Sequence, residues 1–143
     1  VQPYLDRVNR DNAQVKYVFE THFHADFVSG HVDLANKTNS TIIYGPNAET
    51  EYPIYNAKDN EEFKLGKITI KALHTPGHTL ESTTYLVIDK NGNNHSIFTG
   101  DTLFIGDIYG CNDITMWNYN PLSNVNDGSC IPFIYGCRDS ILR

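Results

Sequence analysis

Two imidazoles and a carboxylate fall within five residues in Thr21-His22-Phe23-His24-Ala25-Asp26, directly after the apolar run Val15 to Phe19. On an extended or turning backbone, side chains two apart can be aimed into one cavity. A helix would splay them, because its neighbours lie three and four apart. Two further stretches match this one downstream: His74-Thr75-Pro76-Gly77-His78-Thr79 and Thr99-Gly100-Asp101. Each follows a strand-like segment and carries a group able to bind a cation. Three strand ends delivering His and Asp predict a metal site built on a sheet edge. A catalytic site needs about three protein ligands and an open position. The candidates are His22, His24, Asp26, His78 and Asp101.

The elements that must position these groups read as a mixed α/β arrangement. Residues 3 to 14 predict a short helix with Leu5 and Val8 on one face, and Val15 to Glu20 a buried strand. Val28 to Asn39 predicts a second helix, ended by Lys37-Thr38-Asn39-Ser40. Thr41-Ile42-Ile43-Tyr44 is a β-branched and aromatic strand stopped by Gly45-Pro46. A polar, Tyr-rich loop then runs to Asn60. Glu61 to Leu65 and Lys67 to Leu73 alternate around Gly66 as a hairpin would. Ser82 to Asp89 and Ser96 to Thr99 predict two more strands, separated by an Asn91-Gly92-Asn93 turn. Pro76 and Gly77 shape the loop that aims His78, and His74 supports that loop. His31 is expected on the second helix as a surface or capping residue, and His95 in a solvated turn. Tyr44, Tyr52 and Tyr55 are expected to serve the core or the loop, and Asp107 to end a strand.

The chain has 143 residues, enough for one domain with a real core, and a net charge of −6, which argues against a nucleic-acid or anionic-membrane partner. No apolar run reaches membrane-spanning length. Every His precedes residue 96, the last Lys is Lys90, and all three Cys follow residue 110. That change of character divides the chain into residues 1–107 and a Cys- and Asn-rich segment, 108–143. In the latter, Ile108-Tyr109-Gly110-Cys111 recurs as Ile134-Tyr135-Gly136-Cys137, and Asp113 as Asp139, at an offset of 137 − 111 = 26. Too few apolar residues remain there for a self-sufficient core, so a Cys111–Cys130 disulfide is the expected staple, leaving Cys137 unpaired. Asp113, Asn124, Asn126 and Asp127 offer oxygens for Ca²⁺ but do not follow an EF-hand spacing, and turn formation is the expected role.

The three ligand-bearing stretches resemble, in order, the HxHxD, HTPGHT and TGD signatures of the metallo-β-lactamase superfamily. Within it, residues 15 to 107 resemble the persulfide dioxygenase and glyoxalase II branch. The wording from Glu20 to His31, with Phe98-Thr99-Gly100-Asp101-Thr102-Leu103-Phe104-Ile105-Gly106-Asp107, favours persulfide dioxygenase-like proteins. The resemblance implies part of an αββα fold followed by a small Cys-stapled irregular tail. It implies a mononuclear Fe²⁺ held by His22, His78 and Asp101, with His24 and Asp26 as catalytic helpers. Asp26 would orient a ligand, and His24 would face bound oxygen or join the ligands of a zinc form. Where two-metal members carry a His after the signature Asp, this chain has Phe27, and no His follows His95. The expected reaction is oxidation of a low-molecular-weight thiol persulfide, such as glutathione persulfide, to sulfite with O₂. The alternatives are a zinc thioester hydrolase of the glyoxalase II type, or a non-catalytic fragment or secreted interaction module in which only the Cys repeat matters. Persulfide dioxygenase-like proteins imply a cytoplasmic setting and a fused or partner rhodanese (sulfurtransferase) domain. The tail alone, which resembles short repeats of secreted bacterial surface proteins, implies export. Strands that superfamily members place before the first signature are not found ahead of it here, and the family pattern gives way after Asp107. The sequence therefore reads as a fragment, with a join near Phe104 to Tyr109.

Overall fold

The computed structural model describes residues 1–103, 108–116 and 118–132. The chain divides into two compact units, Val1–Leu103 and Phe104–Arg143. In the first unit the order is α1 (Gln2–Arg10), β1 (Tyr17–Phe19), α2 (His31–Thr38), β2 (Thr41–Tyr44), β3 (Tyr55–Asn56), β4 (Glu62–Leu65), β5 (Ile68–His74), β6 (Thr83–Ile88) and β7 (Asn94–Phe98). A single 3-10 turn, Gly100–Thr102, follows. No helix among the described residues is long and apolar enough to cross a membrane.

Two sheets result. Strands β1, β2 and β3 are parallel in that order, and β4 to β7 form an antiparallel meander. The period of two along β2 sorts its side chains between two cores. Ile43 faces the meander, meeting Ala57, Phe63, Ala72 and Tyr85, with Tyr17 and Phe19 alongside. Ile42 and Tyr44 face α2, where they pack with Ala35, Ala48, Val18 and Val32. The unit is therefore layered: helix, parallel sheet, antiparallel sheet. This matches part of the four-layer arrangement that the resemblance implies. Phe19 sits edge-on to both Phe63 and Tyr85, at 5.4 and 4.9 Å between centroids, and so joins the sheets.

Local chemistry explains the boundaries. Pro3 opens α1 without losing a needed donor. Asn39 ends α2 in the left-handed conformation at φ 54°, its N–H bonded to the Ala35 carbonyl. Gly66, at φ +60°, turns β4 into β5 with Leu65 opposite Ile68. Three expectations need correction. The first strand is shorter than Val15 to Glu20 and only half-buried, because β1 lies at an edge of its sheet. The Tyr-rich loop contains β3, a two-residue strand too short to leave a periodic signal. His95 lies on β7, solvent-exposed, not in a turn.

The second unit has a two-stranded parallel ladder, β8 (Tyr109–Gly110) with β9 (Val125–Asn126), and an isolated bridge from Met116 to Pro132. Cys111 and Cys130 are disulfide-bonded, as expected from the sparse apolar content. The acidic and amide side chains form turns. The Asp113 carboxylate accepts from the Thr115 N–H, that of Asp127 from the Ser129 N–H, and the Asn126 carbonyl from the Gly128 N–H. The second copy of the repeat, with Cys137 and Asp139, lies outside the described residues, as does Asp107.

Candidate metal centre

Three strand exits converge in the first unit. The segment after β1 carries His22 and His24, the loop between β5 and β6 carries His78, and the 3-10 turn after β7 carries Asp101. His22 Nε2 lies 3.6 Å from Asp101 Oδ2, and His78 Nε2 lies 3.4 Å from the same oxygen. One donor atom from each residue falls within 4.8 Å of the other two. Among the described residues this is the one group of three or more His, Cys, Asp or Glu with that geometry.

The donors differ in environment. His22 is 2% exposed, His78 48% and Asp101 37%, so one ligand is rooted in the core and two face the opening. His22 Nε2 is buried and has no hydrogen-bond partner among the described residues. An orphaned buried polar nitrogen costs about 1–3 kcal/mol. A cation held between His22, His78 and Asp101 removes that cost, so the residues fit a metal ion. Burial, and after it the electrostatic effect of the neighbouring His24, holds the His22 imidazole below its ordinary pKa of 6.5, against the opposing pull of Asp101. The neutral ring is the form that ligates.

Thr21 faces the other ring nitrogen, with its Oγ1 3.0 Å from His22 Nδ1. That contact leaves Nε2 to the metal position, the usual role of a partner at the far nitrogen of a ligating His. Asp26 does not reach the three donors. It is 81% exposed and lies 3.6 Å from His24 Nδ1. His24 packs at a tilt against His22, at 4.1 Å, and against Phe27, at 4.3 Å between centroids, beside the three-donor group. His74 closes its loop by a bond from Nε2 to the Leu80 carbonyl, 2.9 Å.

Several contributors carry no sequence signal of their own. Thr75 Oγ1 meets Thr84 Oγ1 at 3.1 Å and Thr102 Oγ1 at 3.2 Å, joining the second ligand loop, β6 and the third ligand turn. The Glu81 carboxylate accepts from the Phe23 N–H at 2.9 Å. Burial pushes Glu81 up, but that bond and the others it accepts prevail, so it is held below the usual carboxylate range. His31 is not at the surface. Its Nε2 meets Tyr52 Oη at 2.7 Å, and its Nδ1 lies 3.9 Å from Glu20. Tyr44 is core, and Tyr55 is exposed and donates to Glu61.

Two outcomes follow. Gly100 sits at φ +52°, where a Cβ would stand 2.5 Å from Thr21 Oγ1 and 3.2 Å from His22 Nδ1. Gly100→Ala therefore carries the left-handed penalty of about 1–2 kcal/mol and displaces either Thr21 or Asp101. Metal titration should show at least about a tenfold weaker site, comparable to losing an outer partner. The second concerns pH. Burial holds His31 below 6.5. Below that pH the unfolded chain takes up a proton that the fold resists, so stability falls as pH falls. His31→Gln removes this contribution. In urea titrations without metal, the wild type should lose stability relative to the variant, by up to about 1.4 kcal/mol per pH unit below 6.5.

Residues 2–122 match the family model described as metallo-beta-lactamase superfamily. A hydroxyacylglutathione hydrolase of Dictyostelium discoideum is 36% identical over 118 residues, covering 78% of this chain and 43% of that protein. Among solved structures, a metallo-beta-lactamase from Staphylococcus aureus subsp. aureus COL superposes with a TM-score of 0.68 at 32% identity, covering 75% of this chain and 35% of that one. ETHE1 from Myxococcus xanthus does so at 0.63 and 28%, covering 74% and 44%. The chain thus spans less than half the length of the relatives it matches.

Proposed function

Because the chain belongs to the metallo-beta-lactamase superfamily, we propose that it is a metal-dependent hydrolase of glutathione thioesters of the hydroxyacylglutathione class, with His22, His78 and Asp101 holding the ion. The observation that carries the metal dependence is the buried, unpartnered His22 Nε2 facing the Asp101 carboxylate beside His78. The substrate class rests on the hydroxyacylglutathione hydrolases that are about a third identical to it. A divalent cation in this position supplies Lewis acidity and an acidified water. The chain's own groups do the rest. Thr21 keeps His22 Nε2 free for the ion. The Asp26 carboxylate lies 3.6 Å from His24 Nδ1, on the opposite side of the imidazole from Nε2. His24 Nε2 can take a proton from the attacking water and return it to the departing thiolate, so that thioester and water become acid and thiol. Half-exposed His78 and Asp101 leave the opening through which the substrate enters. Zinc-loaded protein should release free thiol from a hydroxyacyl-glutathione thioester, and His78→Ala should not. Equal thiol release from the two would overturn the proposal.

One observation favours a second reading. Phe27, directly after Asp26, packs against His24 and can bind no ion. A single site of two imidazoles and one carboxylate is the donor set of non-haem iron oxygenases. On that reading the chain oxidises a glutathione persulfide with O₂. Oxygen uptake by iron-loaded protein with persulfide, without thiol release from thioester by the zinc form, would select it.

A further inference from the structure

We propose that Glu81 is a positioning residue for the metal centre: its carboxylate, bonded to the Phe23 N–H, keeps the His22 imidazole where Nε2 meets Asp101 and His78. The inference rests on metal binding by those three residues, not on which reaction follows. The entry to β6 grips the backbone on both sides of His22. On one side the Thr83 N–H donates to the Thr21 carbonyl, 2.8 Å. On the other, Glu81 Oε1 accepts from the Phe23 N–H, 2.9 Å and 58 residues away in sequence. The first grip is backbone to backbone and does not involve the Glu81 side chain. Only the second depends on a side chain. Glu81 is 6% exposed, so water is a poor substitute for it at that amide. A carboxylate gives the amide a charge-assisted bond, stronger than a neutral acceptor would.

Glu81 is itself held from behind. Its carbonyl accepts from Thr83 Oγ1 at 3.0 Å. The next residue, Ser82, accepts through Oγ from the Thr79 N–H at 3.1 Å, which ties the clamp to the loop that carries His78. One side chain thereby couples the first ligand segment to the second. Without it, the chain beyond His22 loses its anchor, and the ring can swing about the Thr21 contact.

Two substitutions separate reach from charge. Glu81→Gln keeps an oxygen at the Phe23 N–H but no charge. Glu81→Asp keeps the charge but is one methylene too short to reach. Both would be titrated with Co²⁺, following visible absorption and affinity, with far-UV circular dichroism as the folding check. Glu81→Asp should bind Co²⁺ at least about tenfold more weakly, with a shifted spectrum, within the range outer partners command. Glu81→Gln should stay within about threefold of wild type, with the wild-type spectrum. Equal binding by both variants and wild type, or a worse loss in Glu81→Gln than in Glu81→Asp, would overturn the proposal. Failure of the wild type itself to bind Co²⁺ would bring down the metal reading and this inference with it, an outcome distinct from the other two.

Discussion

Replacing Gly45 by Ala is expected to destabilise the first unit by about 3 kcal/mol or more, the upper end of what overpacking costs. The added Cβ would lie 1.7 Å from Thr83 Oγ1, 2.9 Å from Thr83 Cβ and 2.7 Å from the Glu81 carbonyl. None of these atoms can give way cheaply. Thr83 is buried, its N–H holds the Thr21 carbonyl, and its hydroxyl holds the Glu81 carbonyl. Moving it moves the grip on His22. For a unit of about 100 residues the loss corresponds to roughly 15 °C in Tm, read by calorimetry without added metal. Pairing the change with Thr83→Ala removes the closest clash and should recover part of the loss, so the two changes should be non-additive. Additive effects would mean that Gly45 matters only as a turn.

Replacing His78 by Ala is expected to abolish tight metal binding and spare the fold. The side chain is 48% exposed, so its loss opens no cavity. Loss of one of three ligands should exceed the 10–100-fold cost of losing an outer partner. With metal at 100 times the wild-type Kd, the wild type gains about 2.7 kcal/mol of stability; a variant binding 100-fold more weakly gains only about 0.4 kcal/mol. Thermal melts with and without metal read the difference directly. His74→Ala, in the same loop, should keep the metal-dependent shift, because His74 bonds the Leu80 carbonyl and not the ion position.

The donors were legible because each stands at the end of a strand that the local pattern already marks. Thr41 to Tyr44 and the hairpin around Gly66 are written in β-branched residues and a period of two, and the structure places them there. Spacing alone left five donors open; the family resemblance pointed to His22, His78 and Asp101, and the fold brings donor atoms of those three within 4.8 Å of one another while Asp26 stays exposed beside His24. What lies between distant segments left no local trace. Nothing in the local sequence around Glu81 points to its bond to the Phe23 N–H, 58 residues back. Gly45 reads as a strand stop, whereas its lack of a side chain is what lets Thr83 approach. His31, polar and early in a helix, suggests the surface, but Tyr52 and Glu20 close over it.

The most direct test of the metal centre is the stoichiometry of bound metal, measured by elemental analysis after equilibration with zinc and, separately, with ferrous iron under anaerobic conditions. The account predicts one ion per chain in whichever metal binds, absent from His78→Ala and retained in Asp26→Asn. No bound ion, two ions per chain, or one ion that survives loss of His78 would contradict it.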